Sequence, residues 1–199
     1  NIIDINNIAV TVSEAMRGKK KNESIQKFLH PDNLTTNVFK IHKGLIDGTL
    51  PRQEKREPKI IHEPSANKYR IIYPPHNDEH VIHHLVCNEL ESMFMRGMYE
   101  FCIASVPRRG GSYGRRYMEK WLRQYGNKRL YVLKLDIHHF FDSIDRRILF
   151  KKLCDRIKDR RFVEVIKKII WHDGDENDIG IPIGFYSSQW LANFFLQDF

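Results

Sequence analysis

The sequence predicts an α+β fold with a helix-packed antiparallel sheet at its centre, and three observations predict it. The first third carries helical periodicity. Two β-branched runs around a polar turn come next. Strand-like runs then alternate with helical ones, so the elements are neither all-helical nor a regular βαβ series.

Taken in order, Asn22 is placed to cap a helix over 22–29. Asp32 is placed to cap another that carries Leu34, Val38, Ile41 and Leu45 at helical spacing and stops at Gly48. The cluster Arg17, Lys19, Lys20 and Lys21 falls in the loop after the first helix and reads as a solvated loop in preference to a phosphate site. The segments Pro58-Lys59-Ile60-Ile61-His62-Glu63 and Lys68-Tyr69-Arg70-Ile71-Ile72-Tyr73 flank Pro64-Ser65-Ala66-Asn67 and read as a β-hairpin, which Pro74-Pro75 ends. Asn77 can cap a long helix with Val81, Leu85, Cys87, Leu90 and Phe94 on its apolar side and an end at Gly97. A further helix is expected over 113–125. The run Leu130-Tyr131-Val132-Leu133-Lys134-Leu135-Asp136 reads as a buried strand ending on a carboxylate. Helices over about 143–159 and 162–171 follow. A Gly/Asp-rich loop leads into Ile179-Gly180-Ile181-Pro182-Ile183-Gly184, and a last helix is expected over 187–199.

Composition narrows the class. The chain has 199 residues, of which 41% are hydrophobic and 29% charged, which suits a folded globular protein. The formal net charge of +8 favours a polyanionic partner, because phosphates bind Lys and Arg with release of counterions. A membrane surface is the other reading of that charge; no run of about 18 apolar residues is present, so no membrane span is expected, and no membrane is expected among the partners. The three cysteines, Cys87, Cys102 and Cys154, are scattered and odd in number, so the expectation is a reducing cytoplasm without disulfides. The sequence starts without Met or a signal peptide and both ends read as cuts. There is no internal repeat.

Two segments carry chemistry. In Leu133-Lys134-Leu135-Asp136-Ile137-His138-His139-Phe140-Phe141-Asp142-Ser143-Ile144-Asp145, a carboxylate ends an apolar strand where a sheet would meet solvent. Asp136 there is either a hard oxygen ligand for Mg²⁺ or the cap of the following turn, and both readings stand on spacing alone. In Gly180-Ile181-Pro182-Ile183-Gly184-Phe185-Tyr186-Ser187-Ser188-Gln189-Trp190-Leu191-Ala192-Asn193, a Gly-Pro-Gly turn allows close approach of backbone to a ligand, and Ser187 or Ser188 can cap the next helix. Alone, this second segment reads as an ordinary loop-to-helix junction.

In this order and separation the two segments resemble conserved blocks of reverse transcriptases. The first resembles the palm motif that supplies the first metal-binding aspartate. The second resembles the template- and nucleotide-contacting motif that precedes the active-site hairpin. Lys68-Tyr69-Arg70 resembles the basic fingers strand of that family, and Asp78-Glu79-His80-Val81-Ile82-His83-His84 the helix after it. The resemblance weakens before about Asp32. With Ile183 where retroviral and intron-encoded enzymes carry Gln, the form is closer to the reverse transcriptases of diversity-generating retroelements and of phage-defence or abortive-infection systems.

The resemblance implies a right-hand polymerase, with fingers over 1–128 and a partial palm over 129–199. It implies an RNA template, a DNA or RNA primer and deoxynucleotides as substrates, with Mg²⁺, or Mn²⁺ in its place, and an associated RNA or accessory protein as a further partner. Asp136 would coordinate the metal pair, with the Ile137 carbonyl on one ion. Backbone around His139 and Phe140 would face the triphosphate, and Phe141 would act as the steric gate against a 2′-OH. Lys68 and Arg70 would hold the β- and γ-phosphates. Ile183 and Gly184 would pack on nucleotide and template, and Ser188 and Gln189 would lie along the nucleic acid. The family also has an aromatic-x-Asp-Asp hairpin after this point, and no Asp-Asp pair occurs in the sequence. The expectation is therefore that this chain alone does not polymerise, because one carboxylate cannot offset the repulsion of two Mg²⁺ ions.

Other readings compete. His80, His83, His84 and Cys87 include a His-x₃-His spacing that suits zinc, although their apolar neighbours suit a packing helix better. His138 and His139 beside Asp136 invite a metal-hydrolase reading. Arg108, Arg109, Arg115 and Arg116, in a run with glycines and Tyr113, either hold template or primer phosphates or form a solvated loop. Arg146, Arg147, Lys151 and Lys152 read as a solvated helix face, and Trp121, Trp171 and Trp190 as core. A non-catalytic nucleic-acid-binding module on the same scaffold is the main alternative function.

Overall fold

The computed structural model describes residues 1–19, 21–52, 54, 57–64, 67–126, 128–172 and 177–198. Lys20, Ser65, Ala66 and Phe199, each part of an expected element or loop, lie outside the described residues.

Among the described residues the elements are α1 (Ile5–Ala15), α2 (Glu23–Leu29), α3 (Pro31–Ile46), β1 (Lys59–Glu63), β2 (Lys68–Ile72), α4 (Asn77–Arg96), α5 (Gly111–Tyr125), the single turn α6 (Phe140–Ser143), α7 (Arg146–Cys154), α8 (Arg160–Ile170) and α9 (Tyr186–Phe195). The mixed α+β composition is as expected. Local chemistry sets most of the boundaries. Asp4, Asn22, Asp145 and Asp159 each accept a hydrogen bond from an amide of the first turn they precede, which satisfies a donor the helix leaves open. α3 starts one residue before the expected cap. Pro31 takes the first helical position, where its missing N–H costs nothing, and Asp32 falls inside the first turn. The helix expected over 143–159 is the shorter α7: Ile144 is extended, Asp145 caps the start, and no helix continues over 155–159.

α4 is the central element. It packs against α1, α2, α3 and α9. Val81, Ile82, Leu85 and Phe94 of α4 are fully covered, together with Ile8 and Val12 of α1, Ile41 of α3, Leu149 of α7, Ile170 of α8 and Phe194 of α9. Each such side chain stabilises the fold by about 1.5–3 kcal/mol through burial. All of these belong to one cluster that runs from Ile2 to Phe194. α4 also buries two carboxylates in its first turn. The Arg52 guanidinium donates to both oxygens of Asp78 at 2.6 and 3.4 Å, and the Arg52 amide donates to Glu79 at 3.0 Å. Those charges are tolerated inside because each is matched by a donor.

Two expectations about the sheet are corrected. Among the described residues the only sheet is the antiparallel hairpin β1–β2, paired from Lys59↔Ile72 to Glu63↔Lys68. Nearly all of its residues are exposed on both faces, so it is not packed under helices and the core is helical instead. The run 130–136 is neither a strand nor buried. Tyr131, Val132, Leu133 and Leu135 are 79–88% exposed, and no backbone hydrogen bond among the described residues involves 129–137. Strand propensity needs a neighbouring strand to take up its N–H and C=O groups, and none pairs with it among the described residues. Among the described residues no helix is long and apolar enough to cross a membrane.

Candidate functional site

The two segments singled out in the sequence meet in space. His139 adopts a left-handed conformation at φ 49°, which turns the chain into α6. Phe140 and Phe141 lie half-buried against the core. The loop 179–184 docks directly on this turn. The Ile181 amide donates to the Phe141 carbonyl at 2.9 Å, and the Gly180 amide to the Ile144 carbonyl at 2.7 Å. Gly180 sits at φ +91°, and a Cβ there would stand 3.1 Å from the Asp142 carbonyl oxygen, so both its conformation and its space call for glycine. At the far end of the loop, the Tyr73 amide reaches the Ile183 carbonyl at 3.5 Å. Gly184, at φ +113°, lies against Ile72, the last residue of β2. The hairpin, the Phe141 turn and the Gly-Pro-Gly loop therefore form one contiguous surface.

Arg146 holds that surface together, and the sequence reading missed it. It was expected on a solvated face but is 5% exposed. Its amide donates to the Asp178 carbonyl at 2.6 Å and its Nε donates to the Gly180 carbonyl. Asp145 and Ile179 form an isolated antiparallel bridge beside it. Helical spacing could have found this residue, since Arg146, Leu149 and Leu153 fall on one stripe of α7, and that stripe is the buried one. Lys152 departs from the solvated face in the same way, its ammonium donating to the Phe194 and Phe195 carbonyls and pairing with Asp198 at 2.8 Å. Arg147 and Lys151 do face solvent, where Arg147 pairs with Asp145 and Asp178 and Lys151 with Asp155.

The remaining site residues divide by exposure. Asp136 and Ile137 are exposed on the unpaired segment just before the His139 turn. His138 packs edge-on to His139, whose Nδ1 lies 3.2 Å from Asp142. On the hairpin Lys68 is exposed, while the Arg70 Nε donates to Glu63 at 2.5 Å across the strands. Arg108, Arg115 and Arg116 are exposed, with Arg115 paired to Glu119 one turn along α5. Arg109 instead donates to the Tyr99 and Glu100 carbonyls, so its guanidinium holds the 99–109 loop and is not open to phosphate. Ser188 is 3% exposed and cannot touch nucleic acid here; Gln189 is half-buried. Neither serine caps α9. Phe185 stands at the cap, and the Ser187 hydroxyl lies 2.7 Å from Nδ1 of the buried His83, which joins α9 to α4. Trp190 is core as expected, whereas Trp121 is 39% exposed at the edge of an aromatic cluster with Phe101 and Tyr117.

No group of three or more His, Cys, Asp or Glu side chains able to hold a metal occurs among the described residues. Asp136 belongs to no such group, and Mg²⁺ sites use substrate phosphates and waters around one or two carboxylates. The histidine-rich turn of α4 is occupied otherwise. His80 contacts the Lys19 ammonium, His84 stacks on Tyr186 at 3.6 Å, and His83 bonds Ser187. Burial, and then the nearby Lys19 charge, lower the His80 pKa to about 4. Burial, then His80 and then Lys19, lower that of His84 to about 3. Both rings are thus neutral at ordinary pH.

No protein-family model matches this chain, and no curated protein sequence is significantly similar to it.

Proposed function

We propose that this chain is the fingers (1–128) and first part of the palm (129–199) of an RNA-directed DNA polymerase. The observation that carries the reading is the convergence of three separate segments. The Phe141 turn, the 179–184 loop and the end of β2 share one surface through the Ile181–Phe141, Gly180–Ile144 and Tyr73–Ile183 hydrogen bonds. These segments belong to or adjoin three of the four places where the sequence resembles reverse transcriptases. Chance similarity gives no reason for them to meet.

In this reading Lys68 and Arg70 lie at one edge of the surface to hold phosphates, Arg70 exchanging Glu63 for a more highly charged partner. The Phe141 ring excludes a 2′-OH by occupying its space. Ile183 and Gly184 support base and template. Template, primer and deoxynucleotides are the substrates, and the +8 charge supports their binding. Asp136 alone does not assemble a metal pair, so Mg²⁺ chemistry needs further carboxylates from another segment. That same shortage favours the second reading, a nucleic-acid-binding module without catalysis. Both readings expect the protein to bind RNA.

Primer extension separates them. The whole gene product is given an RNA template, a primer, Mg²⁺ and deoxynucleotides, beside Asp136→Ala and Phe141→Ala variants. The polymerase reading expects DNA synthesis that Asp136→Ala abolishes, and ribonucleotide incorporation that Phe141→Ala admits. Binding of template-primer with no extension under any of these conditions would leave the non-catalytic reading in its place.

A further inference from the structure

α5 runs for 15 residues and none of them is buried. Its side chains are nonetheless ordered into stripes. Tyr113, Tyr117, Trp121 and Tyr125 recur every fourth residue and so form one stripe along the helix. Arg116, Lys120 and Arg123, spaced by four and three, form the stripe beside it and line one hollow with Gln124. The rings are held at fixed angles. Phe101 of the preceding loop stands edge-on to Tyr117 and Trp121, with ring centres 5.2 and 4.5 Å apart, and Tyr113 lies 4.7 Å from Tyr117. Trp121 and Tyr125 remain 39 and 51% exposed. The cations are open as well. Glu119, the acid beside them, is taken by Arg115 at 2.8 Å, and no ion pair among the described residues involves Arg116, Lys120 or Arg123. We propose that this face of α5 binds single-stranded nucleic acid, with bases stacked on Trp121 and Tyr125 and phosphates held by Arg116, Lys120 and Arg123.

The two stripes together choose the occupant. Three cations without acid partners call for an anion, and a row of them suits a phosphate backbone. Cations alone would serve a duplex equally well. Exposed rings beside them serve a ligand with free π faces, and the bases of a duplex are already stacked on one another, whereas those of a single strand are open to aromatic side chains. A lipid surface needs a broad aliphatic face to bury, and Met118 and Leu122 are the only aliphatic side chains on α5. The inference rests on the reading of this chain as nucleic-acid-binding and holds whether or not the chain is catalytic. It also redistributes the basic residues. Lys120 and Arg123 join Arg116 as phosphate ligands, while Arg109 and Arg115 are engaged within the protein.

The test is fluorescence anisotropy on the full chain with labelled oligouridine and oligothymidine, each alone and annealed to its complement. Both single strands are expected to bind more tightly than either duplex, and the tighter of the two names the sugar that the face prefers. Trp121→Ala and Tyr125→Ala should each weaken single-strand binding by about tenfold and leave its salt dependence unchanged. Lys120→Ala should instead reduce the logarithmic salt slope by about one. Tyr125 takes no part in the ring contacts around Phe101, so its truncation spares them, and circular dichroism should show every variant folded. A stacked base should also quench Trp121 fluorescence, and Trp121→Phe should bind with near-parental affinity while losing that quench. Equal affinity for single strands and duplexes, or binding that survives both alanine variants unchanged, would overturn this proposal and leave nucleic-acid binding in place. No binding to any of the four probes would overturn both. Cosedimentation with phosphatidylserine vesicles that Trp121→Ala abolishes, in a chain without preference for single strands, would overturn it in favour of a membrane surface.

Discussion

Arg146 and Arg147 are neighbours in sequence and opposites in role. Arg146 is buried, and its guanidinium satisfies the Gly180 carbonyl that the left-handed turn leaves facing inward. Arg147 stands in solvent beside Asp145 and Asp178. Removing a charged donor from a buried acceptor exposes the desolvation cost of that acceptor, whereas a screened surface pair costs almost nothing to lose. Arg146→Met is therefore expected to lower unfolding free energy by about 2–3 kcal/mol in urea titration. It should also speed hydrogen exchange at the Gly180 and Ile181 amides. Arg147→Ala should change neither. Equal effects from the two would mean that the loop is held by its own backbone bonds and not by the guanidinium.

At the scale of elements, the junction of α1, α4 and α9 is built around neutral imidazoles. His80 sits against Lys19 of the loop after α1, and His84 lies flat on Tyr186 of α9. In the unfolded chain both rings take up protons near pH 6.5. In the folded protein they do so only near 4 and 3. Between those values the unfolded state binds more protons, so lowering the pH favours unfolding. Stability is full above about pH 6.5, falls as pH drops through the window, and has lost this contribution below about 3. Thermal melting from pH 7.5 to 3.5 should show this decline, and His80→Gln with His84→Gln should flatten it. An unchanged slope in the double variant would assign acid sensitivity to other groups.

For the whole molecule the relevant quantity is charge. A net +8 spread over 199 residues gives an attraction to nucleic acid that salt screens. RNA binding, measured by fluorescence anisotropy, is expected to weaken steeply between 50 and 200 mM salt, an interval over which contacts to about 6–10 phosphates lose about 10³–10⁵ in affinity and fewer contacts lose less. Lys68→Ala should reduce the logarithmic slope by about one. A salt-independent affinity would remove phosphate contact as the basis of binding.

What the sequence by itself determined is local. Asn22 caps α2 because a short side chain meets an adjacent open amide, an interaction contained in four residues; Asp145 and Asp159 do the same for α7 and α8, although the periodicity ran one helix through Asp145. The α4 stripe and the hairpin were legible for the same reason, since their periods are written along the chain. The tertiary structure decided what depends on distant partners. It buried Arg146 by bringing Gly180 over it, and it withdrew Arg109 from phosphate by wrapping the 99–109 loop around it. It also turned Ser187 from a cap into a partner of His83, 104 residues away. It left 130–136 without a strand because a strand is a property of two segments, and the sequence of one can supply only the propensity. The candidate site was half legible on the same grounds. Its residues could be named from their motifs, but their meeting on one surface rests on backbone hydrogen bonds between segments about 40 and 110 residues apart, which no local pattern encodes.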